Sequence, residues 1–329
     1  MARSLKFLVW FFIFAVRAWG QVEDETFNGP HIDKLIGEGK YEEAFKFIQA
    51  GLEKNGILQT YSATFFAGAG KFYLETGRLK EAGEALKAAD TLAARTGIGI
   101  AFAARELAEF HLLQADFSAA ATWAARALRE SSSRKAHSIV LAYCRCLEAL
   151  ARLRSGDLRR ADKLILEALR SVPEGSEAEP FFASRVLFAG CVIQSHGANY
   201  REARELCRRG LGVIEKRKIE SRDVSLAHLA MAESHFLSGE MALSREQAEK
   251  CIEVTTRMFR REHQDSVDAL VLLARIDRKE SKAADALAHA RAALDMAVAV
   301  FGEDAGGTKG PKRVLEEMEK GIAGDLKSK

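Results

Sequence analysis

The sequence predicts an all-α solenoid of about seven antiparallel helix pairs. Three observations predict this fold: a short phrase recurs along the chain, small residues recur in register with it, and proline is scarce. The four prolines stand between helical stretches, where the missing backbone donor does little harm. The long proline-free stretches are rich in Ala, Leu, Glu, Lys and Arg, which all favour helix.

The recurring phrase opens with a small residue and places an apolar residue third. Its clearest copies read GKYEEA, GRLKEA and GDLRRA. We use the third residue as an anchor; the anchors are Tyr41, Leu79, Phe117, Leu158, Tyr200, Met241 and Ala283, at intervals of 38, 38, 41, 42, 41 and 42 residues. A glycine at the start of the phrase can end a helix in a left-handed cap, so each phrase predicts a turn between two helices.

Two columns of small residues follow the anchors. Three positions after the anchor stand Ala44, Ala82, Ala120, Ala161, Ala203, Ser244 and Ala286, and ten positions after it stand Gly51, Ala89, Ala127, Ala168, Gly210, Cys251 and Ala293. Residues seven apart share one stripe of a helix, so the columns predict a seam where a neighbouring helix approaches closely. A pair with such a seam can bury it fully only by stacking on further pairs.

These features resemble the tetratricopeptide repeat (TPR), which also places a small residue before the turn and a proline after the second helix, as Pro173 stands fifteen positions after Leu158. The intervals exceed the usual 34 residues of that repeat. With VFGEDAGG (Val300–Gly307) and DALVLLARI (Asp268–Ile276), they resemble the longer repeats of the kinesin light chain type. The resemblance implies a right-handed superhelix whose inner face is lined by the leading helix of each pair. Arrays of this kind host unrelated functions.

The predicted solenoid covers residues 21–302, with a truncated first leading helix after Pro30. Residues 303–329 are predicted to add a loop, which spans Gly302–Pro311, and a charged capping helix over Lys312–Leu326. In the fourth unit, Glu148 and Arg152 stand where apolar residues are expected. They leave the register of that leading helix open.

Residues 1–20 have the pattern of a secretory signal. A positive start precedes an unbroken apolar run over Phe7–Val16, and Ala18 and Gly20 suit signal peptidase. We therefore expect an exported protein, periplasmic or secreted, without stable membrane insertion after cleavage; Arg17 leaves an uncleaved anchor as the alternative. Three of the 49 basic residues lie in this segment, so the remainder balances at 46 basic and 46 acidic residues. That balance argues against a nucleic-acid partner.

Motifs for catalysis or cofactors are weak throughout. The GAGK run at Gly68–Lys71 lacks the flanking residues of a phosphate-binding loop and falls within a predicted helix. Ser132 and Lys135 have a hydrolase-like spacing without a partner motif. His228 and His235 stand about 10.5 Å apart along a helix axis, too far for one metal. We therefore predict no enzyme activity, cofactor or metal site.

The cysteines leave two interpretations open. Cys191, Cys207 and Cys251 fall on seam positions, which suits small buried apolar residues. Alternatively, Cys191 and Cys207 form a disulfide, because they mirror each other about the turn near Ala198.

The inner face is the predicted binding site for a protein or peptide. The expected partner-binding residues on the leading helices are Lys71, Arg105, Glu109, Arg185, Phe188, Leu229, Glu233 and Arg275. Mixed charge beside apolar groups suits a protein or peptide ligand. The favoured function is therefore an exported scaffold or adaptor. A ligand-responsive sensor or small-molecule-binding solenoid of the envelope is the alternative. The sequence does not indicate the oligomeric state.

We predict that the mature protein begins at Gln21, because the small residues at Ala18 and Gly20 place the cut there. N-terminal sequencing of protein recovered outside the cytoplasm measures this. A chain that still starts at Met1 in the membrane fraction would mean an anchor instead.

Overall fold

The computed structural model describes residues 29–54, 63–172, 180–216, 218 and 220–327, and every regular element in these ranges is a helix. In chain order the helices are α1 (Gly29–Gly37), α2 (Tyr41–Lys54), α3 (Ala63–Glu75), α4 (Leu79–Thr96), α5 (Ile100–Leu113), α6 (Phe117–Ser133), α7 (Ser138–Arg154), α8 (Leu158–Leu169), α9 (Pro180–His196), α10 (Tyr200–Glu215), α11 (Arg222–Ser238), α12 (Met241–Phe259), α13 (Gln264–Lys279), α14 (Ala283–Phe301) and α15 (Gly306–Lys327). The odd-numbered helices α1 to α13 lead the seven pairs and the even-numbered helices trail them. The leading helix α1 has nine described residues, and its truncation stays a prediction.

Each predicted turn reverses the chain in the same way. Every anchor residue is the first residue of a trailing helix. Two positions before it, the backbone is left-handed in all seven copies, with φ between 55° and 89°, at Gly39, Gly77, Ala115, Gly156, Ala198, Gly239 and Ser281. The reversal persists where the phrase lacks glycine, although a side chain there costs about 1 kcal/mol.

The predicted seam is confirmed. All members of the two small columns are buried, and Ala127 and Ala168 are completely buried. The residue midway between the columns fills the same seam, as Ile48, Leu86 and Ile165 do without any exposed surface. Small side chains therefore bring the helices together, and one larger apolar residue per pair fills the space that remains.

The fourth unit keeps the register of the others. Ala149, nine positions before its anchor, is fully buried like its equivalents in neighbouring units. Glu148 is accommodated because Arg152 donates to its carboxylate at 3.3 Å and Arg160 lies 3.8 Å away. Ion pairing, rather than a shift of the helix, explains the polar residues in this segment.

The solenoid closes on itself. The backbone carbonyls at the end of α3 accept hydrogen bonds from the start of the seventh pair: His263 Nε2 donates to Glu75 O at 3.1 Å and Gln264 Nε2 to Leu74 O at 2.8 Å. Gly77, in the turn after α3, lies so close that an added Cβ would stand 3.0 Å from the Glu262 carbonyl oxygen. Residues almost 190 positions apart are thus in direct contact.

Apolar contacts reinforce this closure. Met296, Val300 and Phe301 of α14 pack against the core cluster of the first two pairs. The Tyr41 and Phe259 rings meet edge to face with centroids 5.6 Å apart. The last pairs therefore lie against the first ones.

The capping helix begins earlier than predicted. The sequence suggests a loop over Gly302–Pro311, whereas α15 starts at Gly306 and contains Pro311. Packing overrides the weak helix propensity of this glycine-rich segment. The Thr308 hydroxyl donates to Gly302 O at 2.7 Å, and Gly307 lies so close to the Phe301 ring that an added Cβ would clash with it.

A disulfide joins the two helices of the fifth pair. Cys191 of α9 and Cys207 of α10 are bonded, with their Cα atoms 5.5 Å apart. Both are also buried, so the two interpretations of the sequence hold together. Cys144, Cys146 and Cys251 are free and buried.

Some sequence predictions lie outside the described residues, namely the signal over residues 1–20 and the role of Pro173. Among the helices in the described ranges, none has the length and apolar character needed to span a bilayer.

The seam generates a test of the register. We expect Ala127→Leu and Ala168→Leu each to lower the free energy of unfolding by roughly 1–3 kcal/mol, because a larger side chain forces the packed helices apart. Ala292→Leu is the matched control, since Ala292 is exposed beside the buried Ala293. Thermal or urea unfolding measures all three. Wild-type stability in both seam variants would contradict the assigned register.

Candidate functional site

Five of the eight predicted inner-face residues are buried, namely Phe188 and four charged residues. Lys71, Arg105, Glu109 and Arg185 keep at most 8% of their surface exposed. The expectation that they line an open groove is therefore wrong. Because the superhelix closes on itself, leading helices from opposite sides meet at its centre and enclose these side chains.

Arg185 lies at the centre of the enclosed charges. Its guanidinium donates to both carboxylate oxygens of Glu75 at 2.7 Å, to Glu109 at 3.1 Å and to Asp223 at 2.9 Å. These acids come from α3, α5 and α11, so one side chain of α9 bridges four leading helices. The planar five-donor guanidinium suits this role, which a lysine could not reproduce.

Arg222 extends the cluster toward the seventh pair. It donates to Glu109 at 3.0 Å and to Asp265 at 2.9 Å. Tyr143 donates its hydroxyl hydrogen to Glu109 at 2.8 Å. Glu109 thus accepts from α7, α9 and α11 at once.

A second group of charges lies toward the N-terminal helices. Lys71 pairs with Asp33, and Arg105 Nε donates to Glu106 at 2.8 Å. The Lys71 ammonium also stands 3.6 Å from the centre of the Phe181 ring, within the range of a cation–π contact. We call all of these side chains the central network; its members are Asp33, Lys71, Glu75, Arg105, Glu106, Glu109, Tyr143, Arg185, Arg222, Asp223 and Asp265.

The central network holds more acids than bases, with six carboxyl groups and four permanent cations. Burial raises the pKa of Glu75 to about 7, because Arg185 and Arg222 offset only part of the lost hydration. Burial also raises the pKa of Glu106, against the influence of Arg105. At Asp265 the effect of burial is outweighed by Arg222, which holds its pKa at about 2. Proton uptake by Glu75 therefore relieves part of the acid excess near neutral pH.

The His263 imidazole, at the contact between α3 and the start of α13, is neutral. Its Nδ1 accepts from the Asp265 backbone N–H at 3.1 Å while Nε2 donates to Glu75 O. Burial lowers the pKa of His263 to about 4, although Asp265 opposes the shift. The unfolded side chain would gain a proton near pH 6.5, so the closure loses stability as the pH falls from there toward 4.

Phe188 does not line the inner face. An added Cβ at Gly210 would lie 2.4 Å from its ring, so Phe188 packs into the seam between α9 and α10. This prediction is wrong because a small residue on the trailing helix leaves room for the ring. Leu229 is partly buried against the core cluster of the sixth and seventh pairs.

A further group of interacting charged residues lies on α7, α9, α11 and α13, and several of its members are exposed. The carboxylate of Glu233 accepts from His196 at 2.7 Å and from Arg154 at 3.4 and 3.5 Å. The Arg154 side chain is 46% exposed, and Asp268 and Arg275 are exposed on α13. We call Arg154, His196, Glu233, Asp268 and Arg275 the open-end cluster.

The open-end cluster contains strongly interacting charges. At Glu233, burial is outweighed by Arg154, His196 and Arg275, which hold its pKa at about 2. Partial enclosure by protein raises the pKa of Asp268 to about 6 against the influence of Arg154, although its side chain still reaches solvent. Within the described residues, neither Asp268 nor Arg275 makes a hydrogen bond. Both retain capacity for a ligand.

The sequence prediction included Glu233 and Arg275 but missed the other members. Asp268 stands fifteen positions before its anchor, as Arg185 does, and Arg154 and His196 each stand four before theirs. These shared positions relative to the anchors were the signal in the sequence that could have identified the three missed residues. Among the described residues, no three His, Cys, Asp or Glu side chains are placed to hold a metal ion.

Comparison with known proteins identifies the fold. No protein-family model and no curated protein matches the chain. NprR in complex with its cognate peptide NprX is similar with a TM-score of 0.58 and 10% identity, covering 96% of this chain and 82% of that one. The apo form of RapI is similar with a TM-score of 0.55 and 14% identity, covering 88% of this chain and 97% of that one. A Rap protein complexed with competence and sporulation factor is similar with a TM-score of 0.53 and 11% identity, covering 90% of this chain and 97% of that one. The chain thus has a TPR-like repeat fold.

The two environments of arginine predict different effects of charge reversal. Arg185→Glu is expected to lower the free energy of unfolding by at least about 3–5 kcal/mol, because three buried carboxylates lose their shared cation. Arg159→Glu, at an exposed position of α8, serves as the control and should change it by less than about 0.5 kcal/mol. Urea unfolding followed by circular dichroism measures both. Equal stabilities would contradict the central position of Arg185.

Proposed function

We propose that the protein binds another protein or a peptide through the open-end cluster. The observation that carries this proposal is the exposure of Asp268 and Arg275 on the leading helix α13, with their hydrogen-bonding capacity unused by the described residues. Arg154 adds an exposed guanidinium whose contacts with Glu233 are long. A bound segment could use these groups without breaking the central network.

The chemistry of the cluster suits a polypeptide. Arg154 and Arg275 offer donors to carboxylate or carbonyl oxygens, and Asp268 offers an acceptor to amides or cations. Leu229, on the leading helix α11, is only partly buried and leaves some apolar surface exposed. The similarity to NprR, which is in complex with its cognate peptide, supports a binding role for the same fold.

A scaffold or adaptor role fits better than a catalytic one. The carboxyl groups with raised pKa at Glu75 and Glu106 are enclosed, and the free thiols are buried. A substrate would have to open the closed superhelix to reach them.

We also propose that the protein is exported. The signal-like residues 1–20 support this, and so does the disulfide between Cys191 and Cys207, because disulfides persist mainly in oxidising compartments. The partner is then an envelope or extracellular protein.

Crosslinking in the compartment where the protein resides, followed by identification of the captured partner, provides the ligand for a quantitative test. Arg154→Glu together with Arg275→Glu should weaken binding by about 1 kcal/mol or more per well-placed contact, as measured by calorimetry with the isolated partner. Arg160→Glu together with Arg209→Glu is the matched control on trailing helices. Unchanged affinity in the first variant with loss in the second would place the site on the opposite side of the solenoid.

A further inference from the structure

The exposed charges of the open-end cluster are mostly basic. The Glu233 side chain is only 18% exposed, whereas the side chains of Arg154 and His196, which donate to it, are 46% and 32% exposed. Arg275 acts on the same carboxylate and is exposed on α13. Three basic groups from three leading helices therefore surround one carboxylate, and each is more exposed than that carboxylate.

Lys279 extends this basic surface along α13. It stands four positions before its anchor, as Arg154 and His196 stand before theirs. It is exposed, and its ammonium lies 4.4 Å from the centre of the Phe236 ring of α11. Phe236 and Glu233 are three positions apart and share one side of α11, so Lys279 reaches the side of α11 that carries Glu233. We call Arg154, His196, Arg275 and Lys279 the basic rim.

Two carboxyl groups oppose the basic rim, and they differ in their state. Glu233 is already engaged, since it accepts from His196 at 2.7 Å and from Arg154 at 3.4 Å. Asp268 makes no hydrogen bond within the described residues, and its pKa of about 6 leaves it partly protonated in mildly acid solution. The exposed part of the cluster therefore becomes more positive as the pH falls.

The surroundings of Asp268 couple its proton to the charge of a ligand. Loss of hydration is the largest cause of its raised pKa; Asp265 and Glu233 add to the shift, and Arg154 and Arg222 oppose it. An anion bound on the basic rim would raise this pKa further, because a nearby negative charge favours the neutral acid. Anion binding would thus take up a proton, and by linkage the affinity would rise as the pH falls.

We propose that the basic rim binds an acidic segment of the partner protein, with carboxylate side chains on Arg154, Arg275 and Lys279, and that Asp268 takes up a proton as the segment binds. Hydrogen bonds between these cations and carboxylates are charge-assisted. Because the basic groups are distributed over several helices, they suit a segment that carries several acids. This inference rests on the proposed function and adds the chemistry of the partner.

The probe is a hexapeptide in which glutamate alternates with glycine and both ends are blocked, so that only side-chain carboxylates are tested. Calorimetry with the full mature chain at low ionic strength, at about pH 5.5 and about pH 7.5, brackets the Asp268 pKa of about 6. At the lower pH the peptide should bind at least about tenfold more tightly than its glutamine counterpart, and at least about threefold more tightly than at the higher pH. Equal binding of the glutamine peptide, tighter binding of a lysine counterpart, or displacement by inorganic phosphate at equal concentration would overturn the proposal.

Asp268→Asn isolates the proton. This variant lacks the charge that protonation removes, so near pH 7.5 it should bind the glutamate peptide at least about threefold more tightly than the wild type does. Its proton uptake, measured from the dependence of the binding heat on the ionisation enthalpy of the buffer, should fall. Asp285→Asn is the matched control, since Asp285 is exposed on the trailing helix α14. Unchanged affinity in Asp268→Asn, or an equal gain in the control, would refute the coupling.

Arg275→Gln together with Lys279→Gln locates the binding and should weaken it at least about tenfold. Arg159→Gln together with Lys163→Gln is the matched control, because these exposed residues have the same spacing on the trailing helix α8. Equal losses would mean unspecific attraction and refute the site. If partner capture depends on Arg154 and Arg275 while the glutamate peptide does not bind, the proposed function stands and this inference fails. If neither depends on the basic rim, both are refuted.

Discussion

Arg185 bridges four leading helices through three carboxyl groups, and the closed superhelix depends on that bridge. Its partners Glu75, Glu109 and Asp223 lie up to 110 residues away along the chain. Without a buried cation at this point, like charges would face one another across the centre. The enclosed face of the solenoid is stabilised by the pairing of its acidic and basic side chains, with the Phe181 ring packed against them.

The separation of apolar residues at the seams from charged residues at the centre explains how the helices are arranged. Small apolar residues hold each pair together along the seam, where close packing is favourable and no charge is present. Ionic groups occupy the centre, where burial is expensive unless every charge is paired. The central network therefore constrains the arrangement of the leading helices. It fixes which helix faces which, because another register would leave a buried charge alone.

The sequence was sufficient to predict the pairs but not their closure. Turns and seams recur with the phrase, so Ala127 and Ala168 could be assigned to the core from their positions alone. Closure depends on small rotations between successive pairs that add up over the array, and no local pattern reports their sum. Arg105 and Arg185 were therefore expected on an open face. The recurrence of opposite charges in the same leading-helix columns, as at Asp33, Lys71 and Glu109, was a sign that these residues neutralise one another.

The contact between α3 and the start of α13 also changes how the chain should fold. In an open solenoid each repeat touches only its neighbours, and stability is close to a sum of local terms. Here the second and seventh pairs share hydrogen bonds, so no terminal pair can detach without exposing charges at the centre. The helix pairs therefore behave as one closed unit rather than as a linear series of repeats. Its contact order rises accordingly, and folding must wait for distant segments to meet before the central charges find their partners.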